Sequence, residues 1–143
     1  MRRTVFAGLA LAVTLTACSG SAASFADSAV VRAQEGLSAV GTLHQIIVAH
    51  TEGRLFPTFA TAAVDDTLAT ATKALDELDS QPPTSPETQR LYDELHPRLQ
   101  DAVARATEAQ EALEAGDTGR IADADAELVR VSDELTAFVE SHG

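Results

Sequence analysis

The sequence predicts an all-α fold, an antiparallel up-down four-helix bundle, on three observations. From Asp27 onward apolar residues recur every three to four positions, and no stretch alternates apolar and polar as a half-buried strand does. Glycine and proline punctuate the periodic stretches at Gly53 and Pro57, at Pro82, Pro83 and Pro86, and at Gly116. The connections so marked are short, and short connections between long helices make sequential neighbours antiparallel. A pair of helical hairpins that completes its core by dimerising fits the same pattern. No repeat of about 20–50 residues stands out, which argues against a helical array.

Each element has its own justification. The first helix is expected over 27–52, where Val30, Ala33, Leu37, Val40, His44 and Ile47 line one face. Gly53 is a suitable stop, and Pro57 fits the first turn of a second helix over 57–80. There Val64, Leu68, Ala71, Leu75 and Leu78 keep the rhythm. Ser85 followed by Pro86 is a cap and first turn for a third helix over 86–115, with Leu91, Leu95, Leu99, Val103, Ala106 and Leu113 on its apolar side. Pro97 removes a backbone hydrogen bond inside it, which predicts a kink over 93–97. A fourth helix over 118–141 places Ile121, Leu128, Val131, Leu135 and Phe138 at near-heptad spacing. Aromatic residues make up only 4% of the chain, so the core must rest on alanine and leucine, with moderate stability. Phe56 and Phe59, on either side of Pro57, are expected to plug one end, with a docking spot for a partner as the alternative.

Ahead of the helices, Met1-Arg2-Arg3 leads into Thr4–Ala17, a stretch without charge. A basic start and an apolar run too short for the roughly 20 residues of a membrane span form the pattern of an export signal. Leu15-Thr16-Ala17-Cys18 then resembles the lipobox of bacterial lipoproteins. That resemblance covers residues 1 to 20 and implies cleavage before Cys18, with lipidation of its thiol by diacylglycerol and palmitate-type acyl chains. A signal peptide over 1–17, a lipidated Cys18 with a flexible tether over 18–26, and a bundle domain over 27–143 follow. The implied location is the extracytoplasmic side of a bacterial membrane, reached through the lipid. Plain secretion with cleavage after Ala26 is the alternative; a twin-arginine signal fits poorly, because Phe6 stands one place late. Cys18 is the single cysteine, so an internal disulfide is excluded, and a lipid thioether would shield an otherwise oxidisable thiol.

The formal net charge is −12, and loss of Arg2 and Arg3 with the leader would make the domain more acidic still. Nucleic acid, which needs a basic face, is excluded as a partner. An anionic bilayer would not hold the domain by charge, so the lipid must. The expected partner is another envelope protein, and a cationic partner or metal is the sharper alternative.

Candidate chemistry is sparse. Glycine-rich phosphate loops and Gly-x-Ser-x-Gly motifs are absent, no cofactor is implied, and enzymatic activity is not expected. His44, on the apolar side of the first helix, His50 further along it, and His96 beside Pro97 are candidate metal ligands if helices one and three face each other. Tyr92, one turn before His96, is a candidate ligand-binding residue, and Glu52 is a candidate companion of His50. Structural histidines with hydrogen-bond partners are the plainer reading of all three. Asp123-Ala-Asp-Ala-Glu127 lacks the glycine and distal glutamate of a calcium loop and reads as a solvated face. Asp65 and Asp66 point about 100° apart on a helix, which is unsuited to paired acid–base work. His142 is expected to fray. The threonines of the second helix either line a polar groove or bond back to the preceding turn.

Overall fold

The structure is a computed structural model that describes residues 19–143, with side chains from Ala22 onward. The leader over 1–17 and Cys18 lie outside the described residues. Four helices follow one another: α1 (Ser19–Thr51), α2 (Pro57–Asp79), α3 (Pro86–Ala115) and α4 (Thr118–His142). Among the described residues there is no strand. The all-α four-helix bundle predicted from periodicity is present.

The helices form a ring in which α1 packs on α2, α2 on α3, α3 on α4 and α4 on α1. Across the ring α1 also reaches α3, whereas α2 and α4 do not touch among the described residues. Cross-helix pairs run in opposite sequence directions: Asp79 meets Tyr92 and Asp65 meets Gln110, while Asp101 meets Arg130 and Glu94 meets His142. Each such seam is antiparallel. One end of the bundle therefore carries the α1–α2 and α3–α4 turns. The other carries the start of α1, the α2–α3 loop and the end of α4.

The punctuation works as its chemistry requires. Gly53 and Gly116 adopt φ of +70° and +63°, the left-handed conformation that ends a helix at little cost to glycine. Ser85 caps α3: its Oγ accepts the Thr88 N–H at 3.2 Å, and the Thr88 hydroxyl accepts the Ser85 N–H at 3.0 Å. Thr88 is fully buried there, so this reciprocal cap also satisfies its hydroxyl. Asp117 caps α4 by accepting the N–H groups of Gly119 and Arg120 at 3.0 and 3.1 Å. The helix of α3 continues through Pro97. Pro97 and Asp93 are both exposed, so water can take the carbonyl that the proline leaves without a donor.

Three sequence expectations change. The tether over 19–26 is helical: α1 begins at Ser19, and Phe25 is buried in the core at 8% exposure. Ala22 and Ala23 favour helix, and burying Phe25 and Ala29 rewards its extension toward the N-terminus. Phe56 and Phe59 plug nothing, with 76% and 66% of their surfaces exposed. His142 does not fray, because it is helical, packs against the Phe138 ring at a 45° tilt with ring centroids 4.5 Å apart, and donates to Glu94 at 3.2 Å.

The core is built from alanine and leucine with Phe25 and Phe138 near one end. Small residues let the helices approach closely. A β-carbon added at Gly36 would meet Leu99 Cδ2 at 2.6 Å, so the Leu99 side chain packs directly over the bare Gly36 backbone where α1 and α3 meet across the ring. The α2 threonines take the plainer of their two roles: Thr61, Thr67, Thr70 and Thr72 each donate to the carbonyl four residues earlier, at 2.7–3.1 Å.

Candidate functional site

The four histidines lie at separate stations, and helical phase explains each. The deepest stripe of α1 passes through Ala33, Val40, Leu43 and Ile47, so His44 sits on its flank, half-buried toward α4. There its Nδ1–H donates to Asp125 Oδ1 at 2.6 Å. Asp125, expected on a solvated face, flanks the Ile121–Leu128 stripe of α4 and turns into the α1–α4 seam. Its position one turn after Ile121 was the sequence signal for this placement.

His96 and Tyr92 come together as their spacing of one turn implies. Their rings stack at 4.9 Å with an interplanar angle of 22°. Both address one oxygen at the end of α2: the Tyr92 hydroxyl donates to Asp79 Oδ1 at 2.8 Å, and His96 Nε2 lies 3.2 Å from it. The hydrogen bond to Asp79, then partial burial and the charges of Asp79 and Asp93, push the Tyr92 phenol above its ordinary range. A phenol held in this way keeps its proton at neutral pH. It suits a donor that pins α3 to α2, and it is a poor base or nucleophile.

His50 differs from the other three. It lies in the last turn of α1 beside a cleft of about 500 Å³ between the end of α1 and the start of α4. Ile47, Val48, Ile121 and Ala122 provide apolar walls, and Glu52 and Asp125 provide the charged groups. His50 Nδ1 is sealed from solvent and has no hydrogen-bond partner, an uncompensated cost that is uncommon for a buried polar atom. Thr51 also lines the cleft, but its hydroxyl is committed to the Ile47 carbonyl at 2.8 Å.

The proposed metal set of His44, His50 and His96 is not assembled. Among the described residues no three histidine, cysteine, aspartate or glutamate side chains form a group able to hold a metal ion. His44 faces α4 while His96 faces the end of α2, so the two candidates on α1 and α3 use different seams. Tyr92 belongs with His96 and Asp79, away from the His50 cleft. Glu52, considered as a companion of His50, does line the same cleft, although Arg54 engages its Oε2. Among the described residues no helix is long and apolar enough to cross a membrane. No protein-family model, curated protein or solved structure matches the chain.

Proposed function

We propose that the chain is a lipid-anchored bacterial envelope lipoprotein that serves as a non-enzymatic binding or scaffolding module. The observation that carries this reading is the pair of exposed phenylalanines, Phe56 and Phe59, on the turn at the end of the bundle opposite the start of α1. Two large aromatic side chains standing in solvent on one turn are costly unless something covers them, and such patches serve protein contacts. The lipobox-like Leu15-Thr16-Ala17-Cys18 supports the anchor. Since α1 starts at Ser19, a lipid on Cys18 would leave little slack. The 33 residues of α1 would then carry the aromatic turn on the order of 50 Å from the attachment point. The acidic surface fits a protein partner in preference to nucleic acid.

Capture of partners by the native lipidated protein, alongside a Phe56→Ser/Phe59→Ser double variant, tests the module. The expected result is an envelope protein retained by the native chain and lost by the variant. Equal retention by both, or none by either, overturns the docking role. The anchor has its own test: Cys18→Ala should leave the chain unprocessed or release it from membranes. A fully processed variant that stays in the membrane fraction would sink the lipid reading.

A further inference from the structure

We propose that the His50 cleft binds an amphipathic organic cation, an ammonium group carried on an apolar body. The inference requires neither the lipid anchor nor a protein partner. A volume of about 500 Å³ lies within the roughly 300–1,000 Å³ of small-molecule sites, and its apolar walls with a few polar groups follow their usual make-up.

The sign of the ligand follows from which groups remain unspent. Glu52 and Asp125 are the charged lining residues, and neither lysine nor arginine joins them. Two arginines stand near in sequence, but Arg54 is engaged by Glu52 and Arg120 turns to Glu111 at 3.4 Å. The N-terminus of α4 also borders the cleft and would ordinarily attract an anion. Its Gly119 and Arg120 N–H groups are already taken by Asp117, whose negative charge also offsets the positive end of the helix dipole. At the end of α1, the Val48, Ala49 and His50 carbonyls already accept from the Glu52, Arg54 and Gly53 N–H groups, in that order. Side chains therefore decide the preference, and the two carboxylates make it cationic.

Both carboxylates retain capacity. His44 engages Asp125 through Oδ1, and Arg54 engages Glu52 through Oε2, which leaves Asp125 Oδ2 and Glu52 Oε1 as acceptors. Asp125 is also held in place by His44, so its orientation is set before a ligand arrives. With Nδ1 sealed, Nε2 is the His50 atom left to make a polar contact with a guest. A phosphate or carboxylate head would instead meet the like charge of Asp125, with Glu52 beside it already paired to Arg54. The apolar body gains by displacing water from Ile47, Val48 and Ile121.

Three probes with one body and different heads test the assignment: 4-phenylbutylamine, 4-phenylbutanol and 4-phenylbutyrate. Each is titrated by calorimetry into the full chain in phosphatidylcholine nanodiscs, with empty nanodiscs subtracted. The amine should bind at least about tenfold more tightly than the alcohol, the size of one charge-assisted hydrogen bond, and the carboxylate should not bind. Ala122 is exposed, so Ala122→Trp can fill the cleft without entering the core, and it should abolish amine binding. Asp125→Asn should weaken the amine about tenfold and leave the alcohol unchanged. Glu52→Gln, at an exposed position, gives the same reading if Asp125→Asn fails to fold. Absent amine binding, a carboxylate that matches the amine, or binding indifferent to Ala122→Trp would overturn the proposal.

Discussion

Where α2 turns into α3, His96 stacks on Tyr92, both meet Asp79, and His142 of α4 reaches Glu94 of α3. At the opposite end His50 Nδ1 has no partner, a cleft opens between α1 and α4, and Phe56 and Phe59 stand in solvent. The first end joins three helices through paired polar groups around buried Phe138, with Arg98 5.9 Å from that ring. On the α1–α4 seam the last polar link before the second end is His44 to Asp125, and beyond it the seam widens. The contrast shows how a bundle with a modest core divides its labour. One end is closed by polar links and an aromatic plug, while the other keeps an open cleft with apolar walls and exposed aromatic surface.

The largest expected difference between the ends concerns their phenylalanines. Phe138→Ala, at 1% exposure, should cost about 3–5 kcal/mol in urea unfolding. Phe56→Ala and Phe59→Ala should each stay within about 0.5 kcal/mol of the native chain. Comparable losses at all three positions would mean that both ends are packed, and the comparison would fail. Between the ends, Gly36 marks the close approach of α1 to α3 and α4. Gly36→Leu should cost about 1–3 kcal/mol by overpacking against Leu99 and Leu135. Gly41 has nothing within 4 Å of an added β-carbon, so Gly41→Ala should instead gain up to about 1 kcal/mol. Destabilisation at Gly41 comparable to that at Gly36 would show that close helix approach is not confined to Gly36.

The Tyr92 station makes a smaller effect that is unusually easy to read. Tyr92 is the single tyrosine of a chain without tryptophan, so ultraviolet phenolate absorbance reports it alone. Its native pKa is raised, first by the hydrogen bond to Asp79. The folded chain thus holds this proton more tightly than the unfolded one. Its contribution to stability is complete below about pH 10 and is lost as pH rises through the higher native value. Asp79→Asn should bring the phenol titration back toward its ordinary position and shrink that alkaline loss. An unchanged titration would show that Asp79 does not hold Tyr92 in solution.

How legible this was in the sequence depends on which helix is considered. All five residues expected to face inward on α4 are buried, because bulky apolar residues at near-heptad spacing leave one possible stripe. On α1 the expected face is only partly right: Ala33, Val40 and Ile47 are buried as expected, Val30 and Leu37 are only partly so, and Ala29, Gly36 and Leu43 are buried beside them. Alanine and glycine carry little hydropathic contrast, so a core that depends on close approach hides its own phase. Helix boundaries were readable from Gly53, Ser85 and Gly116, whose backbone chemistry is local. The stacking of Tyr92 on His96 was local too, at one helical turn. The pairing of His44 with Asp125, across 81 positions, and the cleft at His50 depend on which helices share a seam. No local pattern carries that information.

The smallest expected effect is the most discriminating, because the two ends should differ in its sign. His96→Leu removes the imidazole that meets Asp79 and stacks on Tyr92, and it should lower the melting temperature. The exposure of Asp79 keeps the loss below about 1 kcal/mol. His50→Leu removes a buried nitrogen that has no partner and substitutes apolar surface beside Ile47 and Ile121. It should leave stability unchanged or raise it by up to about 1 kcal/mol. If His50→Leu is also destabilising, its Nδ1 is satisfied in solution, and the open end is then built like the closed one. If it stabilises, the native chain carries at His50 a polar group that its own fold does not need. Retaining such a group at a cost to stability is the pattern of a functional site.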